Sequence, residues 1–197
     1  MSDSGIDPRS GNRLPPPRRE DLDATGQRIY DEISAPGSTN IRGLRGPAGI
    51  HLHSPQLSAL LRPLNRYLRV EAGLTPRVRE TAILSAARAC DSQFEWAAHE
   101  KEALKHGVPQ ATVDAIKHSA PTDGLDETDA VIVELCRASF VTHHVPPELY
   151  ARALAIFGPA HLVNLVVLMG YYVMTAGMLT AFDMQLDPGQ DPLLPVG

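Results

Sequence analysis

The stretch "TPRVRETAILSAARACDSQFEWAAHEKEALKHG", residues 75 to 107, decides the fold. Thr75-Pro76 is a helix start, with an N-cap hydroxyl followed by proline at the first helical position, where a missing N–H is no loss. A helix is expected from there to about Ala89. A second is expected from Ser92 to a stop near Gly107, a residue suited to a C-terminal cap. Nothing in the stretch alternates with the period of two that a strand requires. Two helices joined by a short turn imply an all-α chain.

The flanks agree. "REDLDATGQRIYDEIS", residues 19 to 34, is a short amphipathic helix. Ser54-Pro55 repeats the start signal, and Leu57, Leu60, Leu61, Leu64 and Leu68 follow at helical spacing. Pro109 to His118 and Asp126 to Thr142 are two further helices. Pro146-Pro147 opens another that ends before Gly158, and an uncharged helix begins near Pro159. The glycine-rich segment "NIRGLRGPAGIHLHSP", residues 40 to 55, is irregular. It is either a connecting loop or a lid and anion-binding wall carrying Arg42, Arg45, His51 and His53. The expected organisation is a flexible arm over residues 1–19, a helical domain over 20–186 and a flexible tail over 187–197.

Composition narrows the function. A net charge of -5 offers no electrostatic footprint for nucleic acid. Cys90 and Cys136 lack CxxC spacing and suggest neither a disulfide framework nor a zinc site. An HxH pair in a loop, His51 and His53, is a weak metal signal, and no metal is expected. The first twenty residues lack the apolar core of a signal peptide, so a cytoplasmic protein is expected. From Leu162 to Phe182 there is no charged residue, a run long enough to span a bilayer. It stands alone, lacks a flanking Lys/Arg cluster and contains Asn164, Tyr171, Tyr172, Thr175 and Thr180. A helix buried in a core or subunit interface is the expected reading, with no membrane.

Glu95 and His99 are four apart and therefore neighbours on one helix face. A carboxylate beside an imidazole favours the protonated ring, which can then donate a proton. Glu80, on the preceding helix, shares a stripe with Ile83, Leu84 and Ala87, where a carboxylate is costly without a partner. The competing explanation is structural. Ser92-x-x-Glu95 is itself a capping box, and Glu100 is a rival inward carboxylate. Spacing alone favours the structural explanation.

"RVRETAILSAARACDSQFEWAAHEKEALKHGVP", with "GPAGIHLHSPQLS" upstream and "FGPAHLVNLVVLMGYYVMTAGML" downstream, resembles the carboxymuconolactone decarboxylase superfamily, which also contains the alkylhydroperoxidase D-like proteins. The resemblance covers most of residues 40 to 185. It implies an all-helical, alkylhydroperoxidase D-like subunit that forms a homo-oligomer with the uncharged C-terminal helix buried. It also implies catalytic Glu80, Glu95 and His99, and a small-molecule substrate met by Trp96, His53, Arg42 and Arg45, with Arg77 and Arg79 as further cations. In the peroxidase branch two thiols stand where this chain has Ser92 and Glu95. The decarboxylase branch, which needs no metal or organic cofactor, is therefore implied. The expected activity is a lyase acting on a carboxylated lactone or related unsaturated acid, as in aromatic catabolism. A thiol-dependent peroxidase and a non-catalytic binding protein of the same fold are the alternatives.

Overall fold

The structure, a computed structural model, describes residues 5–36 and 42–195. The first four residues of the expected arm, Asn40 and Ile41 of the glycine-rich segment and the last two residues of the tail lie outside it. Among the described residues the chain is helical without strands, in the order α1 (Ala24–Ser34), α2 (Pro47–His51), α3 (Pro55–Arg66), α4 (Pro76–Ala89), α5 (Gln93–Lys105), α6 (Gln110–Lys117), α7 (Glu127–Phe140) and α8 (Pro147–Ala181). They fall into two compact units.

The first unit comprises residues up to Arg66 together with Met178–Gln190. Asp23 caps α1 by accepting from the Gly26 N–H at 2.8 Å, and Ile29, Ile33 and Leu52 form a small core. The segment expected to be irregular contains α2, a single short helix that starts at a proline. Gly49 permits it: a Cβ there would lie 1.9 Å from the Leu44 carbonyl oxygen. The N-terminal segment is held by backbone bonds from Arg13 N–H to the Phe182 carbonyl and from Gln185 N–H to the Gly11 carbonyl.

The second unit, Tyr67–Gly177 with the residues from Asp191, holds the main core. α4 is its centre. Thr75 caps it by accepting from the Val78 N–H at 3.3 Å, and every residue from Glu80 to Ala87 is buried. The small side chains Ala82, Ala86 and Ala87 let α5 and α7 pack closely on it. One cluster joins α4 and α7 to Leu162, Leu165, Leu168, Met169 and Tyr172 of α8. A second gathers Leu84, Trp96, Val113, Ile116 and Leu194. Asp129, fully buried, ties three helices together: it accepts from Arg77 Nη2 at 2.8 Å and from Thr112 Oγ1 at 2.8 Å.

α8 breaks where the sequence places a break. Gly158, at φ 65° and ψ 170°, interrupts it before Pro159. Taken whole, Pro147–Ala181 is long and apolar enough to cross a membrane, with a mean hydropathy of 1.8 over an 18-residue stretch, of which 28% is buried within the chain. The helix expected to be buried thus buries one stripe, while Val163, Val167 and Met174 on another stripe are exposed.

Candidate active site

The site grows from the corner between α4 and α5. Asp91 turns the chain with a left-handed φ of 49°, a conformation aspartate tolerates better than most residues. Ser92 then donates its N–H to the Ala87 carbonyl at 2.8 Å, closing the end of α4. The expected capping box therefore does not form. The Ser92 hydroxyl makes no cap bond, and its N–H, the group Glu95 would have to satisfy, is already committed. Glu95 is not explained as a cap.

The corner sets α5 alongside α4 and brings three predicted residues together. Glu80, Glu95 and His99 are 1%, 4% and 5% exposed. His99 Nδ1 lies 2.8 Å from Glu80 Oε2, and His99 Nε2 lies 3.8 Å from Glu95 Oε2. The imidazole thus stands between two buried carboxylates. Arg79 Nε donates to the other oxygen of Glu80 at 3.0 Å. Burial alone would push the Glu80 carboxyl up, but the hydrogen bond and charge of His99, then those of Arg79, outweigh it and hold the carboxyl below its ordinary value. An ionised carboxylate only accepts, so Nδ1 carries the hydrogen of that bond. Nε2 is left facing Glu95 across a gap wider than a direct hydrogen bond. A group within hydrogen-bond reach of Nε2 could exchange a proton with His99.

Tyr172, from α8, completes the wall. Its ring meets that of His99 edge-on, centroids 5.3 Å apart, and burial pushes its hydroxyl well above the ordinary range. Sequence reasoning missed this residue as a site component, because an aromatic in an apolar helix carries no local signal of what it faces.

The other predicted contacts are placed differently. Trp96 is fully buried in the second core cluster, its indole Nε1 without a hydrogen-bond partner among the described residues. His53 Nε2 is 3.0 Å from the Pro15 carbonyl oxygen. Arg42 and Arg45 both pair with Asp187. These three residues are engaged within the first unit, while Glu80, Glu95 and His99 lie in the second. Arg77 is committed to Asp129 and Arg79 to Glu80. Glu100, the rival carboxylate, pairs with Lys117 at 3.2 Å. Among the described residues, no three His, Cys, Asp or Glu side chains converge as metal ligands do.

The thiols sit apart in character. Cys90 is half-buried and Cys136 buried. Burial pushes the Cys90 thiol up and that of Cys136 up to about 12, so both are protonated at neutral pH and poor nucleophiles.

No curated protein matches the chain. Residues 55–132 match the family model described as Carboxymuconolactone decarboxylase family, a match that runs from the start of α3 into α7. The segment that carries Glu80, Glu95 and His99 is therefore similar to the carboxymuconolactone decarboxylase family.

Proposed function

We propose that the protein is a lyase that decarboxylates a small carboxylated lactone or related unsaturated acid by His/Glu acid–base catalysis, without a cofactor. The observation that supports this is the buried row of Glu80, His99 and Glu95, with the imidazole hydrogen-bonded on one side and facing a gap on the other. In the reaction the carbon–carbon bond to the carboxylate breaks and carbon dioxide leaves. The electron pair passes into the conjugated carbonyl, giving an enolate. His99, protonated at Nε2, stabilises the enolate oxygen and then delivers its proton to carbon. Glu80 fixes the ring through Nδ1, and Glu95 helps return a proton to Nε2 from water.

The test is turnover of a panel of unsaturated lactone acids by wild type, His99→Ala, Glu80→Gln and Glu95→Gln, with melting temperature as control. General acid–base groups contribute about 10²–10⁴-fold, so each variant should slow the reaction within that range while staying folded. The effects should not add, because the three residues act on one proton. Full activity in His99→Ala on a substrate that wild type turns over would sink the mechanism. The peroxidase alternative is tested beside it. With Ser92 and Glu95 at the thiol positions, the Cys90→Ser/Cys136→Ser double variant should keep full activity, and a large loss with the fold intact would favour redox chemistry. Tight binding without turnover of any lactone would favour a binding protein.

A further inference from the structure

We infer that Arg69 is the anion-binding residue of this site and takes a carboxylate of the substrate, an inference that rests on the acid–base reading of Glu80, Glu95 and His99. Most other cations of the second unit are committed, and Lys101 is exposed to solvent. Arg77, Arg79, Arg88, Lys117 and Arg152 each pair with a carboxylate, and Arg137 donates to the Ala115 and Ala120 carbonyls. Arg69 differs from all of these. Its Nε is buried and, among the described residues, has no hydrogen-bond partner. A buried donor on a cation is costly unless something completes it.

The placement gives that vacancy a direction. Arg69 lies on a π-helical turn, Tyr67–Glu71, that ends α3 and is closed by the Ala72 N–H on the Tyr67 carbonyl at 2.8 Å. Such turns insert one residue and swing side chains out of register, and they recur at functional sites. Leu68, on the same turn, shares a core cluster with Tyr172. Arg79 bridges the turn to the site: Nη1 donates to the Arg69 carbonyl at 2.8 Å while Nε holds Glu80. At the Tyr172 hydroxyl, burial pushes the pKa up and the nearby positive charge of Arg69 works against it. Tyr172 is the ring that touches His99.

Charge balance supplies the ligand class. With His99 protonated, as the proposed reaction requires, Arg69, Arg79 and His99 carry one more charge than Glu80 and Glu95, and an anion from outside the chain would balance it. A guanidinium fork matches a planar carboxylate and binds it through two parallel hydrogen bonds.

The experiment measures binding, by calorimetry, of an unsaturated five-membered lactone bearing an acetate side chain and of its methyl ester. Wild type should prefer the acid by about 10- to 100-fold, the value of a charge-assisted bond. Arg69→Gln should bind the acid as weakly as the ester, and Arg69→Lys should keep part of the preference. The Arg69→Gln melting temperature should hold or rise, because the substitution removes a buried donor that bonds to nothing. A folded Arg69→Gln that still prefers the acid, or a wild type that binds acid and ester alike, would overturn the inference. So would a falling melting temperature with the preference intact, which marks a structural arginine. His99→Ala separates the two ideas. Loss of turnover with the acid preference retained supports both, whereas retained turnover sinks the acid–base reading and leaves the Arg69 result to stand by itself.

Discussion

Glu80 is a carboxylate placed where burial works against its charge, and His99 and Arg79 outweigh that burial. Its native carboxyl is held below the ordinary value of 4.5, so it favours the folded state fully above that value. The contribution is lost as pH falls through the depressed native value. Denaturant unfolding of wild type and Glu80→Gln between pH 7 and pH 3 should show the sign. Wild type should lose stability on acidification below about 4.5, and the variant, which has no such group to protonate, should lose less. Parallel curves would remove the pairing from the account. At this scale the sequence was informative where spacing is rigid. The helical repeat put Glu95 beside His99, and an apolar stripe marked Glu80 as a carboxylate in need of a partner. It misled at Ser92, because whether a serine caps or closes the preceding helix depends on one left-handed residue, Asp91. It was silent on Tyr172, whose contact with His99 arises only when distant helices pack.

At the scale of elements, starts and stops were legible because they are local chemistry. Ser54-Pro55, Thr75-Pro76 and Pro146-Pro147 open helices where expected, and Gly158-Pro159 divides α8. α2 escaped notice because one helical turn between glycines has no periodicity to detect. The leucine spacing of α3 gave the right helix but a misleading core, since Leu57, Leu60 and Leu64 are exposed and only Ser58 is buried. The Gly158 break carries its own prediction. Its φ of 65° with ψ of 170° belongs to a region open essentially to glycine alone. A Cβ there would meet nothing within 4 Å, so the cost of Gly158→Ala is backbone strain without steric clash. Thermal or denaturant unfolding should show a loss of about 1–3 kcal/mol. An unchanged stability would mean that the break relaxes without its glycine.

At the scale of the whole molecule, two helices end with apolar surface uncovered. Leu60 of α3 is 72% exposed and Val163 of α8 61%, with Leu57, Val167 and Met174 also open. On α8 the buried and exposed residues fall on separate stripes of one helix, as they do when a second surface is meant to cover the outer one. A lone membrane span would instead be apolar toward lipid all round, and the outer part of α8 carries Asn164, whose side chain donates to the Ala72 carbonyl at 3.1 Å and anchors the helix to its own unit. We propose that further copies of the chain cover these stripes. Light scattering of detergent-free protein should then report a homo-oligomer. Val163→Glu and Val167→Glu should each shift it toward monomer, because a charge buried at a packed interface without a partner costs several kcal/mol. Leu60→Glu distinguishes whether α3 belongs to the same interface. If it does, this variant dissociates the assembly too, and if not, it leaves the mass unchanged. A wild-type monomer that remains stable in dilute buffer, or a protein that requires detergent, would contradict assembly through α8. Turnover by the dissociated variants would further decide whether the site at His99 is complete within one chain.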